Sequence, residues 1–421
     1  MLIAFISIVV TLFVVLIIRN ISAPERHLNH TVQPQFSVED RQFEISMGNL
    51  LGPPILGEND VHALVNGCRY FPAMLEAVRS AEKTITFETF IFWSGNIGRE
   101  FTEALVERAN AGVRVHLLLD WFGCWKMEKP LLKWLCESSN SIQLEFYRPL
   151  GFHNLARFNN RTHRKTLVVD GKIGFTGGAG IADPWDGDAE DRHHWRDTQY
   201  VIRGPAVSQM QAAFLDNWMQ SHFSILFGED YFPVPEPCGS MKAQVFGSGP
   251  EGGAESVRIM YVMALSCARR SVRLAHSYFV PDKLSVRTII AACKRGVDVE
   301  LMIPGPSDAP ITMAGMRSRL GPLLQAGVRV YQYQKSMFHC KALIVDELWT
   351  SVGSSNFDHR SFRLNDEVNL NVLDADFARE QIEIFEEDKK HCTPITWEQW
   401  KRRPKKDVLI DSIAGLFRAQ M

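Results

Sequence analysis

Apolar and polar residues alternate along this chain with two periods, one typical of helices and one typical of strands. Apolar residues recur at helical spacing across 73–78, and the aromatic, β-branched run 84–93 that follows predicts a strand. The stretch 99–111 predicts an amphipathic helix that ends at Gly112, and the segment 113–119 predicts a buried strand. Such an alternation of helices and strands is typical of an α/β fold.

The same order of elements recurs in the second part of the chain. Residues 259–280 resemble the first helix and strand, residues 287–304 resemble the second pair, and 141–147 resembles 327–333. Matches in the same order, at offsets of 176 to 187 residues, indicate an internal duplication whose unit is too long for a solenoid repeat. The sequence therefore predicts two homologous α/β halves, joined at the proline-rich stretch 231–240.

The sequence divides into six predicted segments, of which the first linker and the C-terminal tail need comment. The polar, proline-containing segment before the first half predicts a linker with little structure of its own. The C-terminal segment carries five cations within 401–406, followed by a helix with apolar residues on one face. It is typical either of a solvated charge run with a helix docked on the core or of a contact with anionic lipid headgroups. The predicted segments are an anchor at 1–19, a linker at 20–57, a first half at 58–225, a linker at 226–245, a second half at 246–392 and a basic amphipathic tail at 393–421.

The first 18 residues contain no charged side chain. At ~1.5 Å per residue they would span about 27 Å as a helix, close to the hydrocarbon thickness of a bilayer. A cleaved signal peptide would place Lys or Arg before the apolar run and a small-residue cleavage site after it, and neither is clear here. Arg19 and Arg26 follow the span and no cation precedes it. The sequence thus predicts a transmembrane anchor with the rest of the chain in the cytoplasm.

Composition narrows the classes of function. The chain has 421 residues, a net charge of −2 and a pI near 6.7, whereas dedicated nucleic-acid binders usually carry a large basic excess. Its eight cysteines are scattered without a C-x-x-C pair, which predicts neither a zinc site nor a disulfide framework. Free thiols in a reducing compartment are the favoured interpretation.

One motif occurs twice. "HRKTLVVDGKIGFTGG" begins at His163 and "HCKALIVDELWTSVGSSN" begins at His339, and both read H-x-K-x4-D-x6-G. On a strand, residues two apart point to the same face, so each His and Lys pair places an imidazole beside a positive charge. That pairing suits a phosphate, and the glycines let backbone N–H groups approach its oxygens. The predicted catalytic set is His163, Lys165, Asp170, His339, Lys341 and Asp346, and the predicted phosphate-binding set is Gly177, Gly178, Gly353, Ser354 and Asn356.

The motif histidines and the acidic cluster that follows the first motif each allow an alternative interpretation. One isolated H-x-K-x4-D match would most often contain an ordinary, partly buried histidine. Two matches at the same place in a duplicated unit favour function instead. The cluster "DPWDGDAEDRHHW" at 183–195 offers acids and histidines for a metal, but they have no defined ligand spacing. An acidic, solvated loop is the default interpretation there, and no metal is predicted.

These motifs resemble those of the phospholipase D superfamily. The N-terminal span and the stretches "ETFIFW", "HWRDTQYVIRGPAV", "YFVPD" and "SFRLNDEVNLNVLD" are similar to the bacterial cardiolipin synthase branch, over about 61–386. The resemblance implies two phospholipase D-like α/β sandwich halves related by a pseudo-twofold axis. His163 and His339 would then face each other across one phosphate.

The resemblance also implies a role for each motif residue. One histidine attacks phosphorus to give a phosphohistidine, and the other protonates the leaving alcohol and then deprotonates the incoming one. The two lysines neutralise the phosphoryl oxygens, so that no metal or other cofactor is needed. The motif aspartates mainly support the architecture, and a downstream acid in each half orients the histidine of that half. The acids that match these orienting positions are Asp197 and Glu367.

The implied function is that of a membrane-bound phosphatidyltransferase of the cardiolipin synthase type. Its expected partners are phosphatidylglycerol, a second phospholipid and the membrane, with no nucleic acid. Its expected location is the bacterial inner membrane, single-pass, with the catalytic part on the cytoplasmic side. The alternatives are a phospholipase D that uses water as acceptor, a nuclease-type phosphodiesterase, and a catalytically dead lipid-binding protein.

Gly180 departs from the family pattern. The first motif of the family usually ends in Gly-Gly-x-Asn, whereas here it reads Gly-Gly-Ala-Gly, and the second motif keeps Asn356 in that slot. One side-chain amide donor is therefore lost on one side of the site. We expect an active enzyme with altered phosphate contacts, the alternative being a non-catalytic first half. Gly180→Asn would restore the family residue.

Overall fold

The computed structural model describes residues 32–151, 157–253 and 255–416, together with four isolated positions before residue 16. The predicted anchor at 1–19 lies outside these ranges. Within the described part of the chain, no helix is both long and apolar enough to cross a bilayer.

The elements of the first half follow the predicted alternation. Predicted strands and helices are found within a few residues of their expected bounds. They are β1 (Leu56–Val65), α2 (Gly67–Arg79), β2 (Thr84–Thr89), α3 (Asn96–Asn110), β3 (Arg114–Asp120), α4 (Lys129–Glu137), β4 (Ile142–Tyr147), β5 (Lys165–Val169), β6 (Ile173–Gly177), β7 (Thr198–Arg203) and α5 (Val207–His222), preceded by α1 (Arg41–Leu51).

The second half repeats this order. It adds one short helix before its last long strand, and it is followed by an extra edge strand and two helices. Its elements are β8 (Met241–Ser248), α6 (Ser256–Cys267), β9 (Ser271–His276), α7 (Lys283–Lys294), β10 (Asp298–Pro304), α8 (Pro310–Gln325), β11 (Arg329–Tyr333), β12 (Lys341–Val345), β13 (Trp349–Gly353), α9 (His359–Arg363), β14 (Glu367–Leu373), α10 (Ala375–Lys389), β15 (Cys392–Ile395), α11 (Trp397–Lys401) and α12 (Lys405–Leu416).

The strands form one continuous sheet whose order is the same when read outward from its centre in either direction. The order is β4-β3-β2-β5-β6-β7-β1-β8-β14-β13-β12-β9-β10-β11-β15. The central strands β1 and β8 are antiparallel, and in each half the three strands farthest from the centre before β15 are parallel. This arrangement relates the two halves by an approximate twofold axis and confirms the duplicated α/β fold.

Strand β3 shows why three leucines can follow one another in a strand. Leu117 and Leu119 belong to the core under α2 and α3, whereas Leu118 packs on the other face with Trp218 of α5. Because helices cover both faces of the sheet, neither face of the strand needs polar residues. From Val115 onward, β3 is therefore a strand buried on both sides.

The predicted linker at 20–57 is wrong for its described C-terminal part. Helix α1 packs against the second half through Phe43, Met47 and Leu51, and the ring of Phe43 lies edge-on to Trp349 with 5.8 Å between centroids. These residues are four apart and share one helix face. The polar residues between them lower the average hydrophobicity, which is why the segment was predicted as a linker.

The second predicted linker and the C-terminal tail also differ from prediction. Strand β8 begins inside the predicted linker at 226–245, and the central β1–β8 pairing depends on it. In the C-terminal tail, α12 docks on the core through Asp411, which is buried and pairs with Arg317 and Arg403. Its apolar residues Leu409 and Ile413 remain exposed. The tail thus combines a docked helix with an outward apolar face.

Candidate active site

The two motifs meet where the halves cross. The backbone N–H of His163 donates to the carbonyl of Asp366 at 2.8 Å, and the backbone N–H of His339 donates to the carbonyl of Arg196 at 2.8 Å. Short parallel bridges extend both contacts, from Thr162 to Asp366 and from Arg196 to Phe338. Each motif is therefore anchored at its histidine by the other half.

The carboxylates that hold the histidines are exchanged between the halves. His163 Nδ1 lies 3.0 Å from both carboxylate oxygens of Glu367, and His339 Nδ1 lies 2.7 Å from Asp197 Oδ2. The expectation that each acid orients the histidine of its own half is wrong. Asp197 directly precedes β7 and Glu367 begins β14, close to the centre of the sheet, and this position brings both acids to the opposite motif.

Burial and neighbouring charges set the protonation of the His163–Glu367 pair. Burial and Lys165 lower the pKa of His163 to about 4, against the opposing effect of Glu367. Burial alone would raise the pKa of Glu367, but His163 and Lys165 hold it at about 2. At neutral pH the carboxylate is ionised and accepts the Nδ1–H of a neutral imidazole. The lone pair of that imidazole is then on Nε2.

The motif lysines are also buried. Lys165 Nζ donates to the carbonyl of His163 at 2.7 Å, and Lys341 Nζ donates to Ser277 Oγ at 3.0 Å and lies 3.2 Å from His339 Nε2. Burial lowers the pKa of Lys165 to about 7 and lowers the pKa of Lys341. A bound phosphate would favour the charged form of both, because an opposite charge stabilises an ammonium group.

The motif aspartates lie at the other ends of their strands from the histidines. Asp170 accepts the backbone N–H groups of residues 82–84 at 2.8 to 2.9 Å, and Asp346 accepts those of residues 269–271 at 2.7 to 2.9 Å. Each carboxylate thus fixes the turn that leads into β2 or β9. These contacts fit the architectural role that the resemblance implies.

Most of the predicted phosphate-binding residues contact the acids or the neighbouring strands. A Cβ at Gly178 would lie 2.4 Å from Asp197 Oδ1, and at the matching position Ser354 donates its hydroxyl to Glu367. Gly177 and Gly353 pack closely on the backbone of β7 and β14. None of these four residues lines the cavity that opens beside His163, whereas Asn356 does. A phosphate contact by Asn356 stays a prediction.

A cavity of about 430 Å³ opens beside His163. Both halves contribute to its walls, and its rim includes Phe122, whose side chain is 53% exposed. An apolar groove of about 820 Å³ continues from it past Trp125 and shares Phe122 and Phe158 with the cavity. The cavity is lined by Phe90, Phe122, Phe158, Asn159, Arg161, His163, Tyr278, Ala309, Thr312, Asn356, Asp358, Arg360 and Asn365.

The two sides of the site differ beyond Gly180. In the second half, Ser277 links Lys341 to Asn356, because its hydroxyl accepts from the lysine and donates to Asn356 Oδ1 at 2.9 Å. The matching positions of the first half hold Phe90 and Gly180. The ring of Phe90 packs against His163, with 5.3 Å between centroids. The first half therefore places an apolar ring beside its histidine, whereas the second half places a hydrogen-bonded serine and asparagine beside its lysine.

Gly180→Asn is expected to destabilise the protein by about 1 to 3 kcal/mol. A Cβ at Gly180 would lie 2.8 Å from the Cβ of Ile91 and 3.3 Å from the ring of Trp185, so the side chain has no free space. Urea unfolding at neutral pH measures the loss. The double variant Ile91→Gly with Gly180→Asn, in which the Cβ of residue 91 is absent, should lose less stability than the sum of its single variants. Unchanged stability in Gly180→Asn would contradict this packing argument.

The tryptophans of the acidic insert had no predicted role. Trp185 Nε1 donates to Asp197 Oδ2 at 3.0 Å, and the rings of Trp185 and Trp195 both lie 5.5 Å from His339 between centroids. Asp183 accepts backbone N–H groups at the start of α3. The insert thus encloses the second histidine. In the ranges that the structure describes, no group of three acids, histidines or cysteines could hold a metal.

The contribution of His163 to the free energy of unfolding is expected to fall as the pH falls from about 6.5 toward 4. Folded His163 stays neutral down to a pKa of about 4, whereas the unfolded chain takes up this proton near the ordinary value of 6.5. The unfolded state therefore binds more protons in this window, and His163 contributes a decline of up to about 3 kcal/mol. Urea unfolding at neutral and acid pH measures it. His163→Gln lacks the titrating group, and an equally steep decline in that variant would contradict the assignment.

The fold and the paired site define a class of protein. Two H-x-K-x4-D motifs from the halves of a duplicated α/β chain form one site, as in the phospholipase D superfamily. The family described as "Cardiolipin synthase, PLD-like domain" matches residues 74–218 and 261–389. The chain belongs to this family.

Curated relatives agree with this assignment. The major cardiolipin synthase ClsA of Bacillus subtilis (strain 168) is 33% identical over 361 residues, which cover 85% of this chain and 75% of that protein. A cardiolipin synthase of Geobacillus kaustophilus is 33% identical over 366 residues, covering 86% and 72%. A solved phosphatidylserine synthase of Haemophilus influenzae Rd KW20 shares the fold, with a TM-score of 0.68, 14% identity and coverage of 90% and 100%.

Proposed function

We propose that this protein is a phosphatidyltransferase of the cardiolipin synthase type, which moves a phosphatidyl group from one phospholipid to the hydroxyl of another. The observation that carries the proposal is the exchange of carboxylates between the two halves of the site. Two histidines from different halves are each held by a buried carboxylate of the opposite half and lie beside a lysine. Membership of the cardiolipin synthase family supports the choice of lipid substrate.

The proposed reaction runs in two displacements. His163 Nε2 attacks phosphorus, the P–O bond of the donor breaks, and His339 gives its proton to the leaving alcohol. His339 then takes the proton of the acceptor hydroxyl, whose oxygen attacks phosphorus while the P–N bond breaks. We assign the attack to His163 because it lines the cavity.

The lysines would stabilise the charge that develops on the phosphoryl oxygens. Lys165 and Lys341 lie next to the two imidazoles, in a buried site where electrostatic interactions are stronger than in water. For His339, the contact with Asp197 and an arriving phosphate anion favour the imidazolium that the acid step requires. With two ammonium groups in these positions, we expect activity to be insensitive to EDTA.

The proposal includes a membrane location. A lipid substrate would enter from the bilayer, and the exposed Phe122 and Trp125 at the rim have the amphipathic or apolar character that suits its interface. The N-terminal segment 1–19, which carries no charged side chain before Arg19, would anchor the chain, with the catalytic part on the cytoplasmic side of a bacterial inner membrane. The exposed face of α12 with Leu409 and Ile413 would add a second contact.

A product assay tests the function. The full chain in detergent is incubated with phosphatidylglycerol, and cardiolipin and free glycerol are quantified. We expect both in equal amounts. Phosphatidic acid as the sole lipid product would instead indicate a phospholipase D that uses water, and cleavage of a labelled single-stranded oligonucleotide would indicate a nuclease. Turnover of none of these substrates would favour a lipid-binding protein without catalysis.

A further inference from the structure

Arg360 is a cation in the cavity wall that has only neutral partners. It lies on α9, and its guanidinium donates to Asn159 Oδ1 at 2.9 Å, to the Asn159 carbonyl at 2.9 Å and to Asn365 Oδ1 at 3.2 Å. Among the residues that the structure describes, no carboxylate lies within ion-pair distance of it. Arg161, in the same wall, pairs with Asp120 at 2.9 Å. Arg161 thus forms a direct ion pair, whereas Arg360 feels carboxylates, Asp358 first among them, only at longer range.

The position of Arg360 is fixed relative to the reacting histidine. Asp358 caps α9 by accepting the backbone N–H of Ser361 at 2.8 Å, and Ser361 Oγ donates to Glu367 at 2.7 Å. Glu367 is the carboxylate that holds His163. The helix that carries Arg360 is therefore tied to the catalytic pair.

A guanidinium without a direct ion pair, in a partly enclosed cavity, attracts an anion. Its planar donors match the oxygens of a phosphodiester, and the interaction gains strength where water is partly excluded. The reacting phosphate already has two cations beside it, Lys165 and Lys341. Arg360 is thus available to a second anionic group in the same cavity of about 430 Å³.

We propose that Arg360 binds the phosphodiester of the acceptor lipid while the free hydroxyl of that lipid attacks the phosphohistidine. This inference rests on the proposed function. Phosphatidylglycerol carries its phosphate and its free hydroxyl on one glycerol unit, so both groups would lie in one cavity with His163. The site would then favour an alcohol that bears a phosphate over water and over simple alcohols.

The test compares two acceptors for one donor. Full-length protein in mixed micelles receives labelled phosphatidylglycerol with and without ethanol, and cardiolipin, phosphatidylethanol and phosphatidic acid are counted. For Arg360→Gln we expect cardiolipin formation to fall about 10- to 100-fold, because a charge-assisted contact to the acceptor is lost. Formation of phosphatidylethanol, whose acceptor has no phosphate, should fall less than about threefold.

Arg363→Gln is the matched control, since Arg363 lies on the same helix, pairs with Glu255 at 2.6 Å and is absent from the cavity wall. Arg360→Lys keeps the charge and should restore part of the cardiolipin product. Equal losses of both products in Arg360→Gln, or no loss of either, would overturn the proposal. If the parent protein itself makes no cardiolipin, the proposed function fails rather than the role of Arg360.

Discussion

His163→Ala and His339→Ala should each lower the rate of phosphatidyl transfer by about 10⁴-fold or more. Attack on phosphorus and proton transfer to the leaving oxygen need separate imidazoles, and each half of the protein supplies only one of them. Neither half is therefore expected to work alone. Cardiolipin formation from phosphatidylglycerol measures the effect. His193→Ala is the control, because His193 is exposed in the acidic insert and should leave the rate unchanged.

A trapping experiment separates the roles of the two histidines. Donor lipid labelled in the phosphatidyl group should leave acid-labile label on the parent protein when the reaction is quenched rapidly. We expect His163→Ala to abolish this label, because its Nε2 forms the covalent bond. Label that persists in His163→Ala and disappears in His339→Ala would reverse the assignment, and substantial transfer by either variant would contradict the two-histidine mechanism.

The second large effect is expected at the exchanged carboxylates. Glu367→Gln and Asp197→Asn should each lower the transfer rate by about 10² to 10⁴-fold, since an amide supports the wrong imidazole tautomer and no longer stabilises an imidazolium. Both acids are fully buried, so each substitution changes the site without exposing new surface. Glu100→Gln, at an exposed position on α3, is the matched control.

The exchange between halves makes a more specific prediction. Glu367 is the main group that raises the pKa of His163 against burial, so Glu367→Gln should lower that pKa further. Asp197→Asn should do the same to His339. Carbethoxylation rates of each histidine across the pH range, read by mass spectrometry, report the two values separately. If Glu367→Gln altered His339 and left His163 unchanged, the crossed pairing would be wrong.

The sequence predicted much of this architecture because its information is local. Helical and strand periods depend on which face of an element is buried, and β3 was found within one residue of prediction. The duplication was visible because both halves kept the same order of elements. The doubled motif identified His163, Lys165 and their counterparts because the same spacing recurs in both copies.

Local patterns failed where a residue serves a distant partner. Helix α1 was predicted as a linker, since its apolar face is explained only by the second half that it covers. The insert at 183–195 looked like a solvated loop, yet its tryptophans surround His339. Gly180 was interpreted as the loss of an asparagine amide donor. The structure shows that Ile91 leaves no space for an asparagine side chain at this position.

By itself, then, the sequence determined the two α/β halves, their order of elements and the histidines and lysines of the site. Only the tertiary structure decided which carboxylate holds which histidine. His163 and Glu367 are 204 residues apart, and His339 and Asp197 are 142 apart. Such contacts form when the two halves join through β1 and β8 at the centre of one sheet. A periodicity within either half carries no information about how that junction brings the opposite motif within hydrogen-bond distance.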